Sequence, residues 1–339
     1  MAFWNNTRVL VTGGASFIGS RLVEKLVAAG ATVRVADNLS SGKLAHIQPL
    51  IDGGSVEFMQ ADLRDSAKAA RALAGREVVF HLAADHGGRG YLHLHQAGPA
   101  SNLLLDGLVF YEALKAGVDK IVYASSGCVY PNSLQMDPEE TLYLTEELVR
   151  PPYDADNIYG WAKLMAEDTL RAYHREHGLK SASCRYFTAY GPRGLENHAV
   201  IAMIARAFVR QNPFEVWGDG TQVRNWTHVD DIVQGTLLAA ERIDDGTGVN
   251  IGTMERTRVI DAAREVIRYT GYEADIKLLP DMPTGPLNRV ADNSLARKLL
   301  GWRPGIAFID GLHQTMDWYF ETRRREDVER ALASELTER

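Results

Sequence analysis

The chain has 339 residues, of which 45% are hydrophobic and 24% charged, proportions that exclude a disordered, collagenous or coiled-coil protein. Its only cysteines, Cys128 and Cys184, cannot build a disulfide framework, and no signal peptide or apolar run of the roughly 18 residues a membrane helix needs is visible, so a cytoplasmic protein is expected. A formal charge of -7 disfavours nucleic acid as a partner and remains compatible with a local basic pocket for one phosphate group.

In chain order, a β-branched run at 7–12 is followed by an amphipathic helical stretch at 17–29, closed by Gly30, and a second strand at 32–36. Further strands are expected at 56–60, 77–82 and 120–124, separated by helices such as 66–74 and 102–116. Strands alternating with helices predict an α/β fold, a Rossmann-type doubly wound parallel sheet whose ligands bind at the carboxyl ends of the strands. From about Arg185 the pattern loosens into short pieces at 190–194, 217–221 and 279–286, with helices at 199–209, 258–269 and 293–300, the last stopped by Gly301. This predicts a smaller mixed α/β lobe. Residues 1–184 are then the cofactor-binding domain and 185–339 mainly the substrate lobe, with some chain crossing back. The stretch 322–339, charged with both signs at helical spacing, reads as a solvated terminal helix.

The run from Val9 to Gly19 places a glycine-rich turn between a strand and a helix, the context a dinucleotide fingerprint requires. Gly13 allows the tight turn, Gly19 allows close packing of the helix, and the amides of the helix start, around Phe17 and Ile18, face a pyrophosphate. Ser16 holds the place of the usual middle glycine, where its hydroxyl is a candidate phosphate donor. Asp37 ends the second strand, with Asn38 beside it, and its carboxylate suits the ribose hydroxyls while repelling a 2′-phosphate. The cofactor expected is therefore NAD, with Arg34 and Lys43 as the basic residues that would argue for NADP. Asp62 and Leu63 are placed to touch adenine, although Asp62 reads equally well as a helix cap. Leu82, Ala83 and Ala84 offer small side chains beside the middle of the cofactor.

Tyr159 and Lys163 stand four apart on a helix and so share a face, where the ammonium is expected to lower the phenol's pKa. Such pairs are common on surfaces, but Ser126, closing the strand that ends Ala124-Ser125-Ser126, supplies a hydroxyl for the same site.

With Tyr190-Gly191-Pro192 and Trp217-Gly218-Asp219-Gly220, these residues resemble the extended short-chain dehydrogenase/reductase family of nucleotide-sugar epimerases and dehydratases, over roughly residues 7 to 320. Within it, residues 83–90, 123–131 and 217–227 are most similar to the GDP-mannose 3,5-epimerase subgroup. The resemblance implies NAD as cofactor, a nucleotide-diphosphate sugar as substrate, and no metal, despite His81, His86, His93 and His95 lying close in sequence. It implies that Tyr159, with Ser126 and Lys163, takes a hydroxyl proton as the C4 hydride leaves, and that Cys128 is one of two groups exchanging protons at C3 or C5. The second is a lysine in the subgroup. An ungapped count from Arg206 puts Ala199 there, with His198 adjacent as the candidate second acid. Gly87, Gly88, Arg89 and Thr188 are implied among the substrate-binding residues, Thr188 standing where the family usually has Asn. Arg224 and Arg289 are implied at the diphosphate, and Trp217, in the run 214–217, passes beside the base or forms a core strand. A homodimer through 102–116 and 159–174 follows from the same likeness. A 4-epimerase, a 4,6-dehydratase and a non-catalytic NAD-binding scaffold are the alternatives.

Overall fold

A computed structural model describes residues 3–334. Its main sheet has seven parallel strands: β1 (Arg8–Thr12), β2 (Thr32–Asp37), β3 (Val56–Gln60), β4 (Val78–His81), β5 (Lys120–Ser126), β6 (Lys180–Tyr186) and β7 (Asp245–Ile251), in the order β7-β6-β5-β4-β1-β2-β3. Parallel strands covered on both faces must be apolar throughout, and β4 and most of β1 and β5 are fully buried. One face packs the helices Phe17–Ala28 and Val229–Arg242, the other Ser66–Leu73, Asn102–Lys115 and Asn157–His177. Strand order reverses between β1 and β4, so a crevice opens at their carboxyl ends.

The smaller lobe has its own core, built from the helices Ala199–Phe208, Val259–Thr270 and Phe308–Thr322 and the strand Phe214–Trp217, which pairs in parallel with Ile276–Leu279. A three-stranded patch pairs Val223–Arg224 with Asn288–Arg289 in parallel register, setting Arg224 opposite Arg289. β6 runs past residue 184 to Tyr186, and the segment 229–251 returns to the main sheet.

The terminal stretch departs from the single solvated helix expected. The helix Phe308–Thr322 stops where Arg323 turns extended, and Arg325–Ser334 forms a separate helix. Val328 is 1% and Ala331 8% exposed, so an apolar stripe docks this helix on the lobe core. The cause is that stripe, hidden among the charges. Residues 335–339 of the expected helix lie outside the described residues. No helix among the described residues is long and apolar enough to cross a membrane.

Candidate active site

The glycine-rich turn has the shape its sequence requires. Gly13 sits at φ +69, a left-handed conformation, and a Cβ there would lie 3.0 Å from the Ala83 amide. A Cβ on Gly19 would lie 2.1 Å from the Gly13 carbonyl oxygen, so only glycine lets the helix start approach the turn. From this turn a crevice lined by Asp37, Asn38, Asp62, Leu63, Ala83 and Ala84 runs past Ser16, Phe17, Ile18 and Leu82 to Ser126, Tyr159 and Lys163. This continuous trough, with a carboxylate at one end and a phenol and ammonium at the other, fits an extended dinucleotide.

The Ser16 hydroxyl donates to the Gly13 carbonyl at 2.5 Å and braces the turn. One detail differs from expectation. Asp62 does not cap the following helix; Asp65 does, accepting from the Lys68 amide, while Asp62 is gripped by the Arg64 guanidinium. Asp37 accepts from the amides of Ala15 and Leu39. Arg34 is turned away, its Nη1 donating to the carbonyls of Arg71, Ala72 and Ala74, and Lys43 is exposed.

Ser126 ends β5 and Tyr159 lies in the first turn of the Asn157–His177 helix, which brings their hydroxyls together. The Tyr159 phenol is pushed up by burial, Cys128 adds to that, and the bond to Ser126 opposes it. The expected lowering by Lys163 is therefore overturned: Nζ stands 5.7 Å from the Tyr159 ring centre, above the ring of Tyr123, and burial dominates.

Cys128 follows Ser126 in a short 3₁₀ turn, Gly127–Val129, and is 8% exposed. This turn is clamped against the helix carrying Tyr159. The Asp156 amide donates to the Cys128 carbonyl at 2.9 Å, and a Cβ on Gly160 would come within 2.3 Å of that oxygen. The thiol accepts from Arg289 Nη1 at 3.1 Å; the same guanidinium donates to Gln135 at 2.7 Å and Asp156 at 3.0 Å. Arg89 also grips Asp156, at 2.7 and 3.3 Å. Arg224, facing both arginines, is pushed down to about 9 by burial and by their charge.

His198 opens the Ala199–Phe208 helix and lines the same cavity as Cys128, Tyr159 and Thr188; Ala199, the position an ungapped count selects, lines the adjoining cavity beside His198. Burial pushes the His198 imidazole down to about 4, so it is uncharged near neutrality.

The adjoining cavity is lined by Gly87, Gly88, Arg89, Trp217, Arg224 and Arg289. A Cβ on Gly88 would fall 1.8 Å from the Asn197 carbonyl oxygen, which explains the glycine. The run 214–217 is both a core strand and a wall: Phe214 and Val216 are buried, while Glu215, Val216 and Trp217 line the cavity.

Sequence reasoning missed Arg206, Gln222, Asp156 and Gln135. Arg206 was legible: residues 199, 202, 203 and 206 form one helical stripe, and it holds the only charge of that helix. Asp156 and Gln135 carry no local signal, because only tertiary folding brings them to Arg289. Both His81 ring nitrogens are taken, by Thr12 and Asp106, and among the described residues no group of His, Cys, Asp or Glu could hold a metal ion.

Known proteins are similar to this chain in sequence and in fold. A rice (Oryza sativa subsp. japonica) GDP-mannose 3,5-epimerase 1 is 30% identical over 327 residues, 95% of this chain and 84% of that protein. The crystal structure of a UDP-glucose 4-epimerase from Thermotoga maritima with UDP-glucose is 30% identical, with a TM-score of 0.81, covering 93% of this chain and 99% of that one. A dTDP-glucose 4,6-dehydratase from Streptomyces venezuelae, crystallised with NAD, matches with a TM-score of 0.85 at 27% identity, over 94% and 98% of the two chains. The family model for the NAD dependent epimerase/dehydratase family matches residues 9–252. The glycine turn, the crevice from Asp37 to Tyr159 and the arginine-lined cavity beyond it thus belong to a member of the NAD-dependent epimerase/dehydratase family, an enzyme family acting on nucleotide sugars.

Proposed function

We propose that the chain is a nucleotide-sugar epimerase of the 3,5 type, acting on GDP-mannose or a close relative by C4 oxidation, proton exchange at C5 and/or C3, and re-reduction. The observation that carries this reading is the thiol of Cys128 in one cavity with Tyr159, Lys163 and His198. NAD, when bound, supplies the hydride acceptor at C4 and a positive ring charge beside the phenol. Tyr159 would take the C4 hydroxyl proton as a phenolate, a form that burial opposes and that the Lys163 ammonium and the bound cofactor's charge would favour, with Ser126 hydrogen-bonded to its oxygen, and would later return that proton. The C4 ketone acidifies the hydrogens on C3 and C5. His198, uncharged, serves as the base for one carbon-bound proton, and Cys128 delivers a proton from its thiol to the other face. Arg89, Arg224 and Arg289 hold the diphosphate, Trp217 lies against the base, and Gly87, Gly88 and Thr188 shape the space for the sugar. Residues 1–184 supply the NAD site and 185–339 mainly the nucleotide-sugar lobe.

We further read the protein as a cytoplasmic homodimer. Leu103, Leu104 and Tyr111 on one helix and Trp161 and Met165 on its neighbour are exposed, and helices Asn102–Lys115 and Asn157–His177 pack side by side.

The test is turnover in deuterated water with GDP-mannose and a panel of other nucleotide sugars. Deuterium is expected at C5 or C3, and Cys128→Ala is expected to suppress that exchange while the reduced cofactor's absorbance accumulates. Exchange at both carbons assigns a second acid, and Ala replacement of His198 identifies it. Product lacking carbon-bound deuterium would replace this reading with a 4-epimerase.

A further inference from the structure

Lys163 is 1% exposed, and among the described residues no carboxylate lies within ion-pair distance of its Nζ. The ammonium stands 4.5 Å from the centre of the Tyr123 ring. Two buried carboxylates flank it. Glu167, four residues along the same helix, has its charge answered by Arg185, which donates Nε at 3.0 Å and Nη2 at 2.8 Å.

Asp106, on the Asn102–Lys115 helix, has no such partner. It is 3% exposed and accepts from His81 Nε2 at 2.9 Å and Tyr123 Oη at 2.7 Å. The donors can be assigned by elimination. Thr12 Oγ1 accepts from the amides of Leu82 and Ala83, both at 3.1 Å, so its own proton goes to His81 Nδ1 at 2.7 Å. The ring hydrogen therefore sits on Nε2, aimed at Asp106.

A buried cation without an anion and a buried anion without a cation thus stand on two sides of one side chain. Tyr123 gives its hydroxyl proton to Asp106 and its ring face to Lys163. A phenol donating to a carboxylate gains electron density in its ring, which strengthens the ring's hold on an ammonium.

We propose that Asp106 is a positioning residue, the counter-charge that acts through Tyr123 to keep Lys163 an ammonium beside the Tyr159 phenol. It rests on reading Tyr159 and Lys163 as the proton-handling pair. Burial pushes Lys163 down, and Asp106 from the neighbouring helix, Cys128 from the turn after β5 and Glu167 from its own helix oppose it. Tyr123 faces it from β5 and Tyr159 from its own helix. Of these, Asp106 alone combines a carboxylate, deep burial and no cationic hydrogen-bond partner.

The test reads the ammonium directly. In the full-length protein labelled with ¹³Cε-lysine, the Lys163 resonance is assigned by its loss in Lys163→Arg and titrated with pH. Asp106→Asn and Asp106→Thr, which keep a polar partner for His81 without the charge, are each expected to move that titration down by about one pH unit or more. Tyr123→Phe, which keeps the ring and breaks the link, is expected to give a smaller downward shift. An unchanged Lys163 titration in any folded variant of Asp106 overturns the proposal, even if thermal stability falls, because a merely structural residue would behave that way. Should both fail to fold, an unchanged titration in Tyr123→Phe overturns it. The readout needs neither substrate nor cofactor. A shifted titration in a protein showing no deuterium exchange would retire the 3,5-epimerase reading and leave this one standing.

Discussion

Asp156→Asn should destabilise the free protein and make it unusually responsive to nucleotide. Asp156 is 7% exposed and is the carboxylate held by both Arg89 and Arg289, with Arg224 close behind. Removing its charge leaves three guanidiniums facing one another. Breaking a buried ion pair by deleting one partner costs about 3–5 kcal/mol. With an unfolding entropy near 2.1 cal/mol/K per residue, a 339-residue chain has about 0.7 kcal/mol/K, so Tm should fall by about 4–7 °C. A nucleoside diphosphate brings anionic charge to the same guanidiniums. Its stabilisation is about 2.7 kcal/mol where its concentration is in hundredfold excess over Kd, and at one fixed concentration it should raise Tm more in the variant, whose guanidiniums are no longer held by Asp156 and so bind the anion more tightly, than in the parent. The assay is thermal unfolding with and without GDP across pH. Burial disfavours the ionised Asp156, but Arg289 and Arg89 override it and hold the carboxyl well below its ordinary 3.8. Because the folded value is depressed, this stabilisation is complete above the unfolded value and fades as pH falls towards the folded one. The gap between parent and variant should therefore be full near neutrality and close in acid. A loss below about 1 °C at neutral pH, or a gap that widens in acid, would refute the reasoning.

Tyr159→Phe should abolish turnover while leaving the unfolding transition and NAD binding in place, since only the proton acceptor goes; retained activity would point to another base. Titration should show NAD binding tighter than NADP by about two orders of magnitude, because Asp37 repels a 2′-phosphate and Arg34 is committed to carbonyls. Equal affinities would count against Asp37 as the ribose carboxylate. Trp161→Glu combined with Met165→Glu should halve the sedimenting mass if the exposed helix face is the dimer surface, and an unchanged mass would relocate it.

The fold was legible because a parallel sheet writes itself locally. β3 matches the expected 56–60 without adjustment, and β1, β2 and β4 differ by one or two residues at their ends, where side-chain pattern says little about the last backbone bond. The glycine turn was legible for a similar reason, since Gly13 and Gly19 are fixed by contacts within a few residues. What stayed hidden depends on distant segments. Asp156 looks like any residue before a helix until Arg89 and Arg289 reach it from 67 and 133 residues away. The ionisation of Tyr159 was misjudged because spacing reveals that Lys163 is on the same face and nothing about how dry that face is. Val328, Ala331 and Leu332 do fall at i, i+3 and i+4, but that stripe is little more than one turn long and is outnumbered by the charges around it, so it was lost among them.

The clamp between the Cys128 carbonyl and the helix start at Asp156 and Gly160 has a consequence for how such an enzyme can be altered. The segments presenting the thiol and the phenol are bolted together by main chain, so a shift in one drags the other. Side chains at 128 can be exchanged without disturbing the bolt, because it is made by the backbone oxygen and not by the sulfur. Position 160 has no such freedom, since even a methyl group would drive into that oxygen at 2.3 Å. The side chain at 128 can therefore vary on an unchanged frame, whereas a substitution at 160 would displace the thiol and the phenol at once.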